Sequence, residues 1–385
     1  MRLPEVARVI REASTATPHT SAQLVTALGA LPPSVVDAAM GLALCEELTF
    51  AWERGWLPYD ITRIVRYRWD DTALSLVVDA IAAESEAYAP STMHHRWRAQ
   101  LDEIGAVVWW DKGKPHLPQW ATRNSLSSAE AFKCALGVLR RLIRLHRVPL
   151  ILPLPGSTAQ PERAVDAGVD HKVLARVRAL LAKAESTQFP DEADALSAKA
   201  QELMNRHAFD RALLHVSEHV PESAESRRLW LDSPYLRAKF QLVNVVAHAN
   251  RCRAVFYPDH GFVGLVGDSL DLEITELLST SLLVQATKAM VVEKPLPSRV
   301  KSYRQAFLVA YAGRIGERLR AAVPASEKAL VPVLAERSEV VNRLFDTLFQ
   351  NTVTKSVSVS NSAGWGAGRA AADRANLTVD RAAIR

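Results

Sequence analysis

Residues 171–214 constrain the fold of this chain more than any other segment, because their hydrophobic spacing predicts a single structure. Apolar residues recur every three or four positions in the first half, as on one face of an amphipathic helix: Val173, Leu174, Val177, Leu180, Leu181 and Ala184. A break then ends in Pro190, and the acidic pair Asp191 and Glu192 favours the start of a second helix. Alanines on this second helix would let two antiparallel helices approach closely. The segment therefore predicts a helical hairpin.

The same hairpin carries a resemblance to a known family. The matching residues are Lys183, Ala184, Glu185, Ser186, Glu192, Ala193, the run from Lys199 to Met204, His207 and Asp210. Together they resemble the signature of the family called domain of unknown function 2786. The resemblance implies that a second uncharacterised domain follows the hairpin, and the region from Trp230 onward is similar to it. The long N-terminal extension resembles that of actinobacterial members. The family name brings no established activity, so the resemblance implies architecture rather than chemistry.

Polar residues of the hairpin match the family pattern without forming an acid–base or metal-binding set. They are Lys183, Glu185, Glu192, Lys199 and Gln201. Opposite charges across a pair of helices most simply fix the register of the pair. We therefore assign these residues to the family motif and not to a catalytic site.

Composition and periodicity divide the chain into four parts. Residues 1–152 are mostly helical in pattern, and residues 153–170 have the Pro, Gly, Ser and Thr content of a linker. The hairpin occupies residues 171–220, and residues 226–385 combine helices with two short strands at 252–257 and 261–266. A third strand is predicted at 352–358 from its β-branched residues. We expect an α+β, helix-dominated protein with an N-terminal helical bundle, an antiparallel helical hairpin and a C-terminal α+β domain with a small antiparallel sheet.

Composition also limits the functional class. With 385 residues, of which 48% are hydrophobic, the chain can bury substantial cores. It has neither a charged start followed by an apolar segment nor a long apolar run, so we expect a cytoplasmic protein with no membrane partner. Three cysteines without paired spacing predict neither a disulfide framework nor a zinc site. We expect no cofactor, and no small-molecule substrate is identified.

Net charge points to an anionic partner. The chain carries a formal charge of +5, and the surplus is concentrated after residue 220, where 22 Lys and Arg face 16 Asp and Glu. A mild basic bias of this kind favours RNA, DNA or acidic proteins. Through residue 170, and within the hairpin, the charges nearly cancel, so the whole surplus lies in the C-terminal part of the chain.

The helix predicted at residues 302–320 offers the surface that best fits this expectation. In projection, one sector of this helix gathers three guanidinium groups and two aromatic rings: Arg304, Phe307, Tyr311, Arg314 and Arg318. Such a set suits phosphates and stacked bases. The alternative is that the arginines lie over the core edge and pair with Asp271, Glu273 or Glu276. Our main hypothesis is a non-catalytic binding protein for nucleic acid.

Two alternative functions rest on other segments. His215, Glu218 and His219 fit the H-x-x-E-H pattern of a zinc-dependent hydrolase, in which two histidines bind the metal and the glutamate acts on water. Val220 and Pro221 end this helix at once, which argues against rigid ligands. The second alternative is an adaptor that binds a protein partner through the hairpin.

Two further motifs allow either a functional or a packing interpretation. Trp97, Trp109, Trp110 and Trp120 surround a loop with Lys112 and Lys114, so they either stack bases or fill the edge of a core. The glycine-rich run from Gly364 to Arg369 either presents backbone N–H groups to a phosphate or allows tight helix packing. In both cases packing is the simpler interpretation.

Overall fold

The computed structural model describes residues 2–68, 71–157, 224–292, 300–321, 331–350, 352 and 361–375, together with single positions at 175, 176, 179, 199 and 203. The chain divides into two compact units, Met1–Arg163 and Ala164–Arg385, which are described separately below. Across these described residues, no helix combines the length and the apolar character that crossing a membrane requires.

The N-terminal unit is a helical bundle. Its described residues form eight α-helices: α1 (Leu3–Thr15), α2 (Pro18–Leu28), α3 (Pro33–Glu53), α4 (Pro58–Arg68), α5 (Asp71–Ser85), α6 (His95–Ile104), α7 (His116–Arg123) and α8 (Ser128–Ile143). Helix α3 is apolar on several sides and packs against α1, α5, α7 and α8, as expected of a central helix. Buried tryptophans fill its surroundings, and the rings of Trp52 and Trp97 meet edge to face at 5.3 Å.

Within its described residues, the C-terminal unit combines five α-helices with one three-stranded sheet. Its elements are β1 (Glu225–Trp230), α9 (Leu236–Ala249), β2 (Arg253–Tyr257), β3 (Phe262–Gly267), α10 (Ser269–Val292), α11 (Val300–Ala321), α12 (Val331–Leu348) and α13 (Ser362–Asp373). The strand order is β1-β3-β2, and both pairings are antiparallel. The predicted hairpin of β2 and β3 is confirmed, whereas β1 was not predicted. The structure thus confirms a helix-dominated α+β protein with a small antiparallel sheet.

Helices cover both faces of this sheet. On one face, apolar residues of α9 and α10 pack against Val263 and Leu265 of the central strand. On the other face, Phe345 of α12 and Phe349, which directly follows this helix, pack against Val266. Gly264 makes room for this second layer, because a Cβ atom there would lie 3.0 Å from Phe349. Strand β3 is consequently buried along its whole length.

Helices α11 and α13 pack with their backbones unusually close. A Cβ atom at Gly364 would lie 2.4 Å from the carbonyl oxygen of Tyr303, and one at Gly368 would lie 2.2 Å from that of Phe307. No side chain larger than hydrogen fits at such distances without displacement of the helix. This contact confirms tight packing as a role of the glycine-rich run. Arg369 is directed toward Glu317 on α11, which accepts two hydrogen bonds from it.

Several predicted segments lie outside the described residues. These are the hairpin at residues 171–214, apart from the single positions given above, linker residues 158–170, and the predicted third strand from residue 353 onward. The predicted division of the chain into four parts accordingly stays a prediction.

Candidate nucleic-acid interface

The structure does not place the five residues predicted on α11 along one exposed edge. The rings of Phe307 and Tyr311 are stacked at 6.2 Å within the core of the C-terminal unit, and each residue is 1% exposed. Burial raises the pKa of the Tyr311 hydroxyl, which fits its apolar surroundings. The expectation that these rings are open to stacking is therefore wrong. The reason is that α13 packs on the sector of α11 that the projection left open.

Two of the three arginines of this sector bind α13. Arg314 forms ion pairs with Glu317 and with Asp373 of α13. Arg318 donates hydrogen bonds to the carbonyl oxygens of Ala372 and Ala375, at the C-terminal end of α13. Arg304 is partly buried, and its Nε atom is sealed from solvent. Arg314 and Arg318 therefore form a clamp on α13, and the three arginines do not form an accessible cationic edge.

Two of the three predicted alternative partners of these arginines, Asp271 and Glu276, pair with other arginines. Asp271 forms an ion pair with Arg251 at 2.7 Å, and Glu276 pairs with Arg227 at 3.2 Å. Glu317, which was not predicted as a partner, forms ion pairs with Arg314 and Arg369 instead. Hydrogen bonds from Arg369 and Arg314 lower the pKa of Glu317 to about 2.

An aromatic site with an accessible cation lies instead in the N-terminal unit. We call it the tryptophan corner and define it as Asp79 on α5, Trp109 and Trp110 before α7, and His116 and Arg123 on α7. The two indole rings meet edge to face at 5.8 Å with an interplanar angle of 83°. The His116 ring lies 4.3 Å from that of Trp110. The five side chains thus form one continuous group that draws on two helices and the loop between α6 and α7.

A nearly buried carboxylate organises the corner. The indole N–H of Trp109 is 3.0 and 2.9 Å from the two Asp79 oxygens, and Nε2 of His116 is 2.8 Å from one of them. Asp79 is 7% exposed. Ring N–H groups can therefore replace the water that this carboxylate loses on burial.

Loop hydrogen bonds hold the tryptophans in place before α7. The Asp111 carboxylate accepts the backbone N–H of Gly113 at 2.8 Å, and this bond is the main reason why the pKa of Asp111 is lowered. The Gln119 amide accepts the backbone N–H of Asp111 and donates to the backbone carbonyls of Asp111 and Pro115. These contacts tie the loop to the first turns of α7 and limit the conformations open to it.

The outer side of the corner combines an exposed ring with an exposed guanidinium. Trp109 is 37% exposed, and the Arg123 guanidinium carbon lies 4.3 Å from the centre of its ring. Among the described residues, no carboxylate pairs with Arg123. The two nearby lysines do have acidic partners: Lys112 pairs with Glu86, and Lys114 with Asp111. Arg123 is therefore the cation of this site that remains available to an external anion.

Comparison with known proteins concerns the segment between the described parts of the two units. Residues 172–211 match the family model described as Protein of unknown function (DUF2786). The chain carries a DUF2786 segment. The match confirms the family that the hairpin residues resemble. No curated protein and no solved structure matches the chain.

The DUF2786 segment contains all five residues assigned to the family motif. Lys199 is helical and exposed, while Lys183, Glu185, Glu192 and Gln201 lie outside the described residues. The candidate zinc ligands, which directly follow the DUF2786 segment, also lie outside them: His215, Glu218 and His219. The hydrolase and adaptor hypotheses therefore stay predictions.

Sequence reasoning recognised only part of the tryptophan corner. It identified Trp109 and Trp110 but favoured a core-filling role, which is correct for Trp120, a residue with no exposed surface. Asp79 and Arg123 were missed, since the first lies on an earlier helix and the second two turns into α7. A tryptophan pair followed by a lysine- and proline-containing loop was the available signal. It does not reveal which charged residues the fold brings to the indole rings.

Proposed function

We propose that this chain is a non-catalytic binding protein for single-stranded nucleic acid and that the tryptophan corner contacts its bases. One observation carries the proposal: an exposed guanidinium, without a carboxylate partner among the described residues, lies over an exposed indole. The cytoplasm is the location that we propose for this activity.

Planar groups of this kind suit unpaired bases. A base stacked on an aromatic side chain contributes about 1–3 kcal/mol, whatever its identity, because every base has a π face. The guanidinium of Arg123 can stack on a second base or pair with a phosphate. In a duplex the flat faces of the bases are covered by their neighbours, so the corner favours single strands.

Pre-organisation supports the same role. Asp79 restrains the indole of Trp109 before any ligand arrives, so binding orders fewer side chains and loses less conformational entropy. The regional surplus of basic residues after residue 220 adds a long-range attraction for polyanions.

Binding of fluorescently labelled single-stranded DNA and RNA, followed by anisotropy over a series of salt concentrations, tests the proposal. We expect the affinity to fall as salt rises, because bound phosphates release counterions. Replacing Trp109 with Ala should weaken binding by about 5- to 150-fold, consistent with the loss of one stacked base. Arg123→Ala should weaken binding and also reduce the salt dependence.

Matched control variants separate the corner from general surface effects. Phe50→Ala removes another exposed aromatic side chain of the N-terminal unit, and Arg98→Ala removes another exposed arginine. Both controls should bind like the unmodified chain. Absence of binding at low salt overturns the proposed function, and equal losses in corner and control variants overturn the proposed interface.

A further inference from the structure

The imidazole of His116 gives the tryptophan corner a group that can change its charge near neutral pH. Its Nε2 atom is 2.8 Å from Oδ2 of Asp79, and the two side chains are 16% and 10% exposed. Because a carboxylate only accepts hydrogen bonds, Nε2 carries a hydrogen and an added proton binds at Nδ1. Among the described residues, no group forms a hydrogen bond with Nδ1, so this atom is able to take up the proton.

The charged groups of the neighbouring elements leave Asp79 as the acid that contacts this imidazole. Helix α5 contributes Asp79, and α7 contributes Arg123, whose guanidinium lies over the ring of Trp109. The loop before α7 and the residue after α5 contribute four charged side chains that form two ion pairs: Asp111 with Lys114, and Lys112 with Glu86. Helices α3 and α8 also pack on α7, and their described residues contribute no ion-pair partner to His116.

Protonation of His116 would change both the charge and the internal contacts of the corner. With a neutral imidazole, the charges of Asp79 and Arg123 cancel, whereas an imidazolium leaves the corner with a net positive charge. This charge lies beside the indole of Trp110, whose ring is 4.3 Å from that of His116. The hydrogen bond to Asp79 becomes an ion pair, which holds α7 more firmly against α5. Both changes favour an anionic ligand.

We infer that His116 is a pH-sensitive switch of the tryptophan corner, and that gain of a proton by its imidazole strengthens the binding of single-stranded nucleic acid. This inference rests on the proposed function and adds the regulation of the same site. Histidine is the side chain that ordinarily changes its charge between about pH 5 and 8. Binding should therefore be tighter at the acidic end of this range.

Anisotropy of a labelled single-stranded oligonucleotide, measured with the full chain at about pH 8 and about pH 5, tests the inference. His116→Gln keeps a side-chain N–H donor for Asp79 but cannot gain a charge. The matched control is His19→Gln, which removes an exposed imidazole on α2. Acidification should tighten binding about two- to fivefold more in the unmodified chain and in the control than in His116→Gln, as one additional exposed ion pair would.

The chain without nucleic acid provides a second measurement. Trp109 shares the carboxylate of Asp79 with His116, so its indole ¹⁵N–¹H resonance should move between the two pH values in the unmodified chain and not in His116→Gln. Circular dichroism confirms that each variant is folded. If acidification has the same effect on binding in His116→Gln and in the control, the inference is overturned while the proposed function stands. Absence of binding at low salt at both pH values removes both.

Discussion

The carboxylate of Asp79 accepts the indole N–H of Trp109 through both of its oxygens, at 3.0 and 2.9 Å. One oxygen also lies 2.8 Å from Nε2 of His116. A side chain from α5 thus fixes the orientation of two rings that belong to the loop before α7 and to α7 itself. The exposed face of Trp109 depends on this buried anchor.

Asp79→Asn should loosen the tryptophan corner. An amide keeps only one acceptor oxygen, and because the indole N–H lies against both oxygen positions, the NH₂ group faces this donor in either orientation and weakens its hydrogen bond. The indole ¹⁵N–¹H resonance of Trp109, assigned by its loss in Trp109→Phe, should move toward the position of a weakly bonded indole. The control is Asp102→Asn, which makes the same substitution at an exposed position on α6. An unmoved Trp109 resonance in Asp79→Asn would show that the carboxylate is not the anchor.

Gly368→Ala should destabilise the C-terminal unit by about 1–3 kcal/mol, since the added methyl group would meet the carbonyl oxygen of Phe307 at 2.2 Å and force α11 and α13 apart. Gly366→Ala is the matched control on the same helix, because nothing lies within 4 Å of the position of its Cβ atom. This control should be neutral or stabilising by up to about 1 kcal/mol through helix propensity. Chemical denaturation measures both, and equal effects would contradict the close packing of these helices.

Stability should depend on pH through Glu317. Hydrogen bonds from Arg369 and Arg314 lower its pKa from an ordinary value of 4.5 to about 2. A lowered pKa in the folded state contributes stability that is present above about pH 4.5 and is lost as pH falls toward 2. The melting temperature of the unmodified chain should therefore exceed that of Glu317→Gln at neutral pH, and the difference should shrink across this window. Glu339→Gln, at an exposed position on α12, is the control. If the difference in melting temperature between the unmodified chain and Glu317→Gln does not change with pH, Glu317 is not the source of the pH dependence.

Arg314→Ala and Arg318→Ala should lower stability without changing affinity for nucleic acid. Both side chains hold α13, through Asp373 and through the carbonyl oxygens of Ala372 and Ala375. Arg123→Ala should show the opposite pattern, with normal stability and weaker binding. Thermal melting measures the stability of these three variants, and anisotropy measures their affinity for nucleic acid. If the α11 variants lose affinity while remaining fully folded, the helix 302–320 regains its predicted role.

Periodicity was sufficient to predict the elements that depend on local pattern. The apolar spacing of residues 302–320 predicts a helix, and α11 spans Val300–Ala321. The short, largely apolar runs at 252–257 and 261–266, with a turn between them, predict the hairpin of β2 and β3. Strand β1 escaped detection because Glu225–Trp230 is short and contains two arginines, and it is a strand mainly because the edge of β3 is there to pair with it.

Only the tertiary structure decided which charged and aromatic residues face solvent. A helical projection sorts the residues of α11 by angle, but it does not show that a helix about 60 positions later in the chain packs on the aromatic sector and supplies partners for its arginines. Trp109 was visible in the sequence, whereas its anchor Asp79 lies 30 residues earlier and its guanidinium 14 residues later. Local spacing determines the secondary structure because hydrogen bonding and side-chain direction repeat along the chain, while exposure and charge pairing depend on contacts between segments that are distant in sequence.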